Sequence, residues 1–473
     1  MKLILVLLAI LIASSQQRFF NNPKVNNLAY DQEDEDQYDG EVYWFKEQIL
    51  DHFKLGPAEH WSQRYIVQDY YFDKQNGPLF LYIGGESYAH AVSKKSNFTL
   101  CLAEEFKGIV ITLEHRFYGS SQPYGQGPDS YSVENMKMLT HEQALDDLAT
   151  FIGYLKQNKL FGIKEDTPVI TIGGSYPGAL SAWFRYKYKH LTIGALASSA
   201  VVNAIEDYQE FDTQIRLSAA SQGEECVDNI RELTQYAQSV LDREDGEAQI
   251  QNFKAQFGAQ QLSKVDFLYF FADIFALQVQ YGKTTDVCEM ISGPFDQALA
   301  NIQKYARDNC NPNDYDQEKM KETQYSYTKN IRQWTYQTCT YVGWFYSAAF
   351  YKPMRSTLVD VKYFQDLCEN IYGKGYLPKV QDTNTIMGGT KMRTENIIFT
   401  NGGQDPWKWA SILQDKGDMK AIVIDCVDCA HCVDLSSPKE GEPQVLSQAR
   451  KDIIENMRTW ISQYCQYQTL IQY

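Results

Sequence analysis

The sequence predicts an α/β fold with a largely parallel sheet, and three observations carry that reading. Short apolar runs alternate with amphipathic ones over the first two hundred residues, the rhythm stops between roughly 206 and 385, and it resumes near 397. Strands that are apolar throughout and separated by helices are buried on both faces, as a parallel sheet requires. The strands in order are RYIVQDYYF from Arg64, PLFLYIGG from Pro78, GIVITLEHRFYG from Gly108, PVITIGG from Pro168 and GALASSA from Gly194. The second follows an Asn-Gly turn and ends in glycines. Helices fall at about 99–107, at 139–157 and directly after Ser175. Thr140 is placed to cap the second of these, because Glu142 and Gln143 follow it in the first turn.

The segment 206–385 is rich in Gln, Asp, Tyr and Ala, with helical runs such as EECVDNIRELTQYAQSVLD and FDQALANIQKYARD. A stretch of that length does not stay a structureless loop in a compact protein. It is expected to be a helical cap over the C-terminal edge of the sheet, dividing an α/β domain into 45–205 and 386–473. The second part opens with NIIFTNGGQDPW, continues with MKAIVIDCVDCAHCVDL and ends in a helix over about 444–464.

The chain has 473 residues, 44 % apolar and 14 % aromatic, enough for a large core. The opening MKLILVLLAILIASSQQ reads as a secretory signal peptide over 1–15, too short for a membrane span. The acidic run DQEDEDQYD lies in an expected leader or pro-segment, 16–44. Ten cysteines and the sequon Asn97-Phe98-Thr99 fit the secretory pathway, with disulfides and a glycan at Asn97, in an acidic lysosome-like vesicle or outside the cell. A formal charge of −16 argues against nucleic acid or an anionic membrane as partner.

VITIGGSYPGAL has the construction of a nucleophile elbow: an apolar strand, two glycines, Ser175 and an immediate helix. The backbone N–H of Tyr176 would be an oxyanion donor. Pro177 replaces the usual glycine, but proline in a first helical turn removes an N–H that has no partner anyway. A serine needs a base and an orienting acid, and after such an elbow these follow in the order acid then histidine, each on a loop beyond a strand. Asp405 after IIFTNGG and His431 after AIVID meet that order. Asp425, Asp428 and Asp434 are competing acids, while His52, His90 and His115 precede the serine.

Cys426, Cys429, His431 and Cys432 crowd too closely for a structural zinc site, so no metal is expected and disulfides to one another or to the cap are. In LYIGGES, the Gly85 backbone would give a second oxyanion N–H, and Glu86 either binds a peptide's terminal amine or orders nearby backbone. Arg116 and Glu114 are expected to pair beneath the site, beside Ser120 and Ser121.

ILDHF, FLYIGGES, ITLEHRFYGSSQP, LTHEQALDDLA, IGGSYPGALSAWFRYKY, GALASSA, WTYQTCT, NGGQDPW and AHCVDL, in this order, resemble the family of lysosomal Pro-X carboxypeptidase, dipeptidyl peptidase II and thymus-specific serine protease. The resemblance implies an α/β-hydrolase fold with a helical cap. It also implies a serine exopeptidase for short peptides, often beside proline, with no cofactor, which can be a homodimer. It maps nucleophile, acid and base to Ser175, Asp405 and His431. Two departures are Pro177 and Tyr341, where the family commonly has glycine and glutamate. Because esterases and lipases share this triad, a secreted esterase is one alternative and a non-catalytic peptide-binding protein the other.

Overall fold

The computed structural model describes residues 40–93 and 97–471. The signal-peptide reading, and the leader up to residue 39, lie outside the described residues. An eight-stranded sheet forms the centre, in the order β1-β2-β4-β3-β5-β6-β9-β10. Its members are β1 (Glu41–Ile49), β2 (His60–Gln68), β3 (Leu79–Ile83), β4 (Ile109–Leu113), β5 (Val169–Gly174), β6 (Gly194–Ser198), β9 (Ile397–Gly402) and β10 (Lys420–Ile424). The β1–β2 and β2–β4 pairs are antiparallel, and from β4 to β10 every pair is parallel. A short parallel pair, β7 (Ile205–Asp207) and β8 (Gly343–Phe345), forms a separate two-stranded sheet.

This is an α/β-hydrolase sheet bearing a helical cap. Strand β1 was not among the expected elements, and it takes in residues 41–44 of the expected leader. A register shift between Phe45 and Gln48 breaks the alternation that marks a strand, and the acidic run ahead of it masks the rest. RYIVQDYYF is a strand only to Gln68, because Phe72 N–H turns back onto the Asp69 carbonyl.

Helices of eight or more residues are numbered here. α1 (Phe98–Phe106) and α11 (Gln444–Ile471) cover one face of the sheet, α2 (His141–Gln157) and α3 (Tyr176–Lys187) the other. Thr140 caps α2 as expected, its hydroxyl accepting from Gln143 N–H at 3.0 Å. The cap holds α4 (Gln209–Ala220), α5 (Glu224–Leu241), α6 (Glu247–Ala255), α7 (Lys264–Gln280), α8 (Phe295–Asn309), α9 (Val361–Tyr372) and α10 (Val380–Met387). Disulfides Cys226–Cys288 and Cys339–Cys368 tie the cap internally. No helix among the described residues is long and apolar enough to cross a membrane.

The chain order reverses at β3, which has β4 on one side and β5 on the other. Loops leaving two such strands diverge and open a crevice at their carboxyl ends, where open parallel sheets bind ligands. The turns carrying Gly85–Glu86 and Ser175 leave β3 and β5, so both line this crevice.

Candidate active site

Ser175 stands between β5 and α3 with φ 64° and ψ −129°, a backbone that a non-glycine residue adopts only when its surroundings impose it. Its N–H donates to the Ser198 carbonyl at 2.9 Å, and its own carbonyl accepts from Ala179 at 3.0 Å. A Cβ at Gly173 would lie 2.2 Å from the Pro177 carbonyl oxygen, so a larger residue would open the turn. Tyr176 and Pro177 are the first residues of α3, and the Tyr176 N–H is one of the donors a helix start leaves without an intrahelical acceptor.

Pro177 has a structural partner. A Cβ on Gly85 would stand 2.5 Å from Pro177 Cγ, so the ring occupies the space that glycine leaves in the β3 turn. The two departures from bulk fit each other, and they seat the Gly85 turn against the elbow.

Asp405 follows β9 and is fully buried; its Oδ1 accepts from Trp407 N–H at 2.9 Å. His431 follows β10, and its Nδ1 lies 3.0 and 2.9 Å from the two Asp405 oxygens. Burial opposes a charged imidazole, but the Asp405 carboxylate outweighs it and holds the His431 pKa well above the ordinary value, with the Cys432 thiol acting in the same direction. Ser175 and His431 line one cavity of about 180 Å³ with Gly85, Glu86, Tyr281 and Trp407. Burial raises the Glu86 pKa to about 6, and nearby His431 partly opposes the rise.

Two of the three competing acids are engaged elsewhere and the third faces solvent. Asp434 Oδ1 accepts from Ser198 at 2.6 Å, Asp428 holds Thr285 at 2.8 Å, and Asp425 is exposed. Among the early histidines, His52 pairs with Asp147 at 2.9 Å and His115 reaches the Tyr176 hydroxyl at 3.0 Å, while His90 lines the cavity.

Cys426 and Cys429 form a disulfide in the loop before His431, and Cys432 remains a buried thiol.

One expectation needs correction. Arg116 and Glu114 do not pair. Arg116 makes a two-point contact with Asp147, at 2.7 and 2.6 Å, whereas Glu114 takes Arg64, the Ser121 hydroxyl and the N–H groups of Ala89 and Ser120. Each finds its counter-charge on a different element, Glu114 on Arg64 of β2 and Arg116 on Asp147 of α2. Asn97 is 2 % exposed and caps α1, its Oδ1 accepting from Thr99 N–H at 2.8 Å and its Nδ2 reaching the Tyr82 hydroxyl at 3.4 Å.

The cap supplies residues that no local motif marked. Gln280, the last residue of α7, accepts from His431 N–H through its carbonyl and from Trp407 Nε1 through its side chain, both at 2.9 Å. One cap residue thereby braces the acid loop and the histidine loop together. Tyr281, Trp334 and Tyr346 add aromatic wall to the cavity. Only the signal of aromatic richness in 206–385 pointed toward them, and aromatic richness serves core packing equally well.

The serine carboxypeptidase S28 family matches residues 48–453. A probable serine protease EDA2 of Arabidopsis thaliana is 34 % identical over 451 residues, covering 89 % of this chain and 88 % of its own. The thymus-specific serine protease of Homo sapiens is 28 % identical over 453 residues, covering 89 % and 86 %. The lysosomal Pro-X carboxypeptidase of Homo sapiens is 28 % identical over 462 residues, covering 89 % and 88 %. With a family match running from the end of β1 into α11, and relatives aligned over most of both chains, this chain belongs to the serine carboxypeptidase S28 family and is a serine-type exopeptidase.

Proposed function

We propose that the protein removes residues from one end of short peptides through an acyl-enzyme on Ser175, and that Glu86 takes the substrate's terminal amine. The observation that carries the first part is the Asp405–His431 pair opening on the cavity that Ser175 lines. With His431 Nδ1–H committed to Asp405, Nε2 is the nitrogen left to accept the serine proton. Ser175 Oγ attacks the scissile carbonyl, and the negative oxygen meets the N–H groups of Tyr176 and Gly85. His431 then gives its proton to the departing amine, and water repeats the sequence on the acyl-enzyme.

The charge of the cavity wall supports an amine anchor. Neither lysine nor arginine is among the residues lining it, and Glu86 is the one carboxylate there among the described residues. A bound ammonium supplies a counter-charge to the buried carboxyl, whereas a C-terminal carboxylate would find no lysine or arginine there. Trp334, Tyr346 and Trp407 offer flat apolar surface suited to a proline ring, which supports a preference beside proline. Three disulfides support maturation in the secretory pathway.

Product mapping with peptides blocked separately at each end tests the reading. N-acetylation should abolish cleavage and C-amidation should leave it. For free-amine peptides KM should rise as pH falls through about 6, where Glu86 gains its proton, and Glu86→Gln should remove that dependence. Cleavage lost on C-terminal blocking alone would refute the amine anchor. A Ser175→Ala protein still labelled by a fluorophosphonate would refute the nucleophile.

A further inference from the structure

Beneath the elbow lies a buried polar cluster that the reaction as written does not use. The Tyr176 hydroxyl is met by three groups: His115 Nε2 at 3.0 Å, His141 Nδ1 at 3.2 Å and Gln337 Nε2 at 2.9 Å. The Tyr118 hydroxyl donates to Gln337 Oε1 at 2.6 Å. Burial pushes the His115 pKa down to about 4 and that of His141 down to about 3, so both rings are neutral above that range.

One arrangement of protons satisfies these contacts. His115 Nδ1 is 2.7 Å from the Arg116 carbonyl, which only accepts, so Nδ1 carries the ring's proton and Nε2 is an acceptor. The single hydrogen of the Tyr176 hydroxyl therefore goes to His115. Its two lone pairs take the remaining donors, Gln337 Nε2–H and His141 Nδ1–H. Gln337 can donate there because its oxygen is already taken by Tyr118. Reversing the amide would set an oxygen against a hydroxyl whose proton is spent.

Four of these residues belong to the α/β domain, and Gln337 comes from the cap, at the end of the helix Ile331–Gln337. Trp334 lies one turn earlier on that helix, lines the substrate cavity, and packs its ring 5.8 Å from that of Tyr176. The Cys339–Cys368 disulfide fastens the chain two residues beyond Gln337. A peptide resting on Trp334 thus touches the helix whose end holds the Tyr176 side chain.

We propose that Gln337 is a positioning residue: it locks the Tyr176 hydroxyl so that the Tyr176 N–H, at the other end of the same residue, is aimed at the reacting oxygen only when the cap is seated. This rests on the reading of Tyr176 as an oxyanion donor. A residue held at its hydroxyl and at its helix start has little freedom to tilt the N–H between. Misplacing a preorganised donor by a fraction of an ångström weakens transition-state binding while leaving ground-state binding intact.

The test uses the full chain with Gln337→Met, which keeps the length and removes both hydrogen bonds. kcat should fall about tenfold or more, with KM within about twofold. Affinity for a peptide boronate, which mimics the tetrahedral intermediate, should fall by the same factor, and affinity for the amino-terminal product peptide should not move. Tyr176→Phe should lose as much, and the double variant no more than either. If Gln337→Met does not fold, Tyr118→Phe withdraws the support of Gln337 alone and should lower kcat without raising KM. An unchanged kcat, a loss confined to KM, or equal losses of boronate and product affinity would overturn the proposal. Peptide hydrolysis surviving Ser175→Ala would instead overturn the reading of the site itself.

Discussion

Replacing Asp273 with asparagine should make the protein less sensitive to neutral pH. Inside the cap, Arg355 sits between two buried aspartates. Asp212 holds the better position: its Oδ1 takes Arg355 Nε at 3.1 Å, and its Oδ2 takes the N–H groups of Ala349 and Met354 at 3.0 Å each. Asp273 stands 3.7 Å from Arg355 and accepts from the Tyr315 hydroxyl at 3.0 Å, leaving Oδ1 without a hydrogen bond. Tyr269, Tyr346, Tyr363 and Cys310 complete its surroundings, and none brings positive charge. Burial accordingly raises the Asp273 pKa from 3.8 to about 6, with Arg355 and Tyr315 opposing the rise and Asp212 adding to it.

A carboxyl whose pKa is raised on folding binds its proton more tightly in the folded state. Its contribution is complete below 3.8 and is lost as pH rises through about 6. A shift of about two units at about 1.36 kcal/mol each amounts to about 3 kcal/mol. Asp273→Asn mimics the protonated form at every pH, so it should match the wild type at pH of about 3.5 and exceed it by up to that amount at about 7.5. With an unfolding entropy near 2.1 cal/mol/K per residue, 1 kcal/mol is roughly one degree for a chain this long, and the expected gain in Tm is about 3 °C. Thermal unfolding of both proteins between these two pH values is the assay. Parallel curves, or a variant less stable at the upper end, would refute the account. Tyr346 lines the substrate cavity and lies under Arg355 at 5.1 Å, so this charge balance sits directly behind the site.

Asp405→Asn should reduce kcat by about four orders of magnitude with KM little changed, because the amide favours the wrong imidazole tautomer; steady-state kinetics on a proline-containing peptide would show it. Gly85→Ala should cost about 1–3 kcal/mol through overpacking against Pro177, and much of the activity, since the added Cβ would lie 2.5 Å from the proline ring. Pro177→Gly in the same chain should restore most of both, measured by Tm and kcat/KM; a double variant as impaired as Gly85→Ala would show that the two residues are not a matched pair.

Much of the site was legible in the sequence because its parts are local. A strand, a tight turn and a helix are written in consecutive residues around Ser175, and Asp405 and His431 each follow an apolar strand closely. Asp434 breaks the expected order, and Asp425 and Asp428 lie in the same connection as His431, whereas Asp405 follows a strand of its own. The misreadings arose where a partner lies far along the chain. Glu114 and Arg116 are near neighbours, but Arg64 and Asp147 satisfy them from 50 and 31 residues away. Asn97 forms a valid sequon, and only packing against the Tyr82 hydroxyl and its role at the start of α1 reveal that it is buried. β1 was hidden because a bulge destroys the two-residue period on which strand recognition depends.

The sequence by itself determined the fold class and singled out Ser175, Asp405 and His431 as candidates, since these readings rest on periodicity or on residues a few positions apart. Only the tertiary structure decided how the cap takes part. Gln280 holds the acid and histidine loops, Gln337 holds the Tyr176 hydroxyl, and Pro177 fills the space beside Gly85. The physical reason is that a hydrogen bond or a filled space belongs to the pair that meets. Neither Gln280 nor Gln337 carries a mark of its own before folding brings it within 3 Å of its partner.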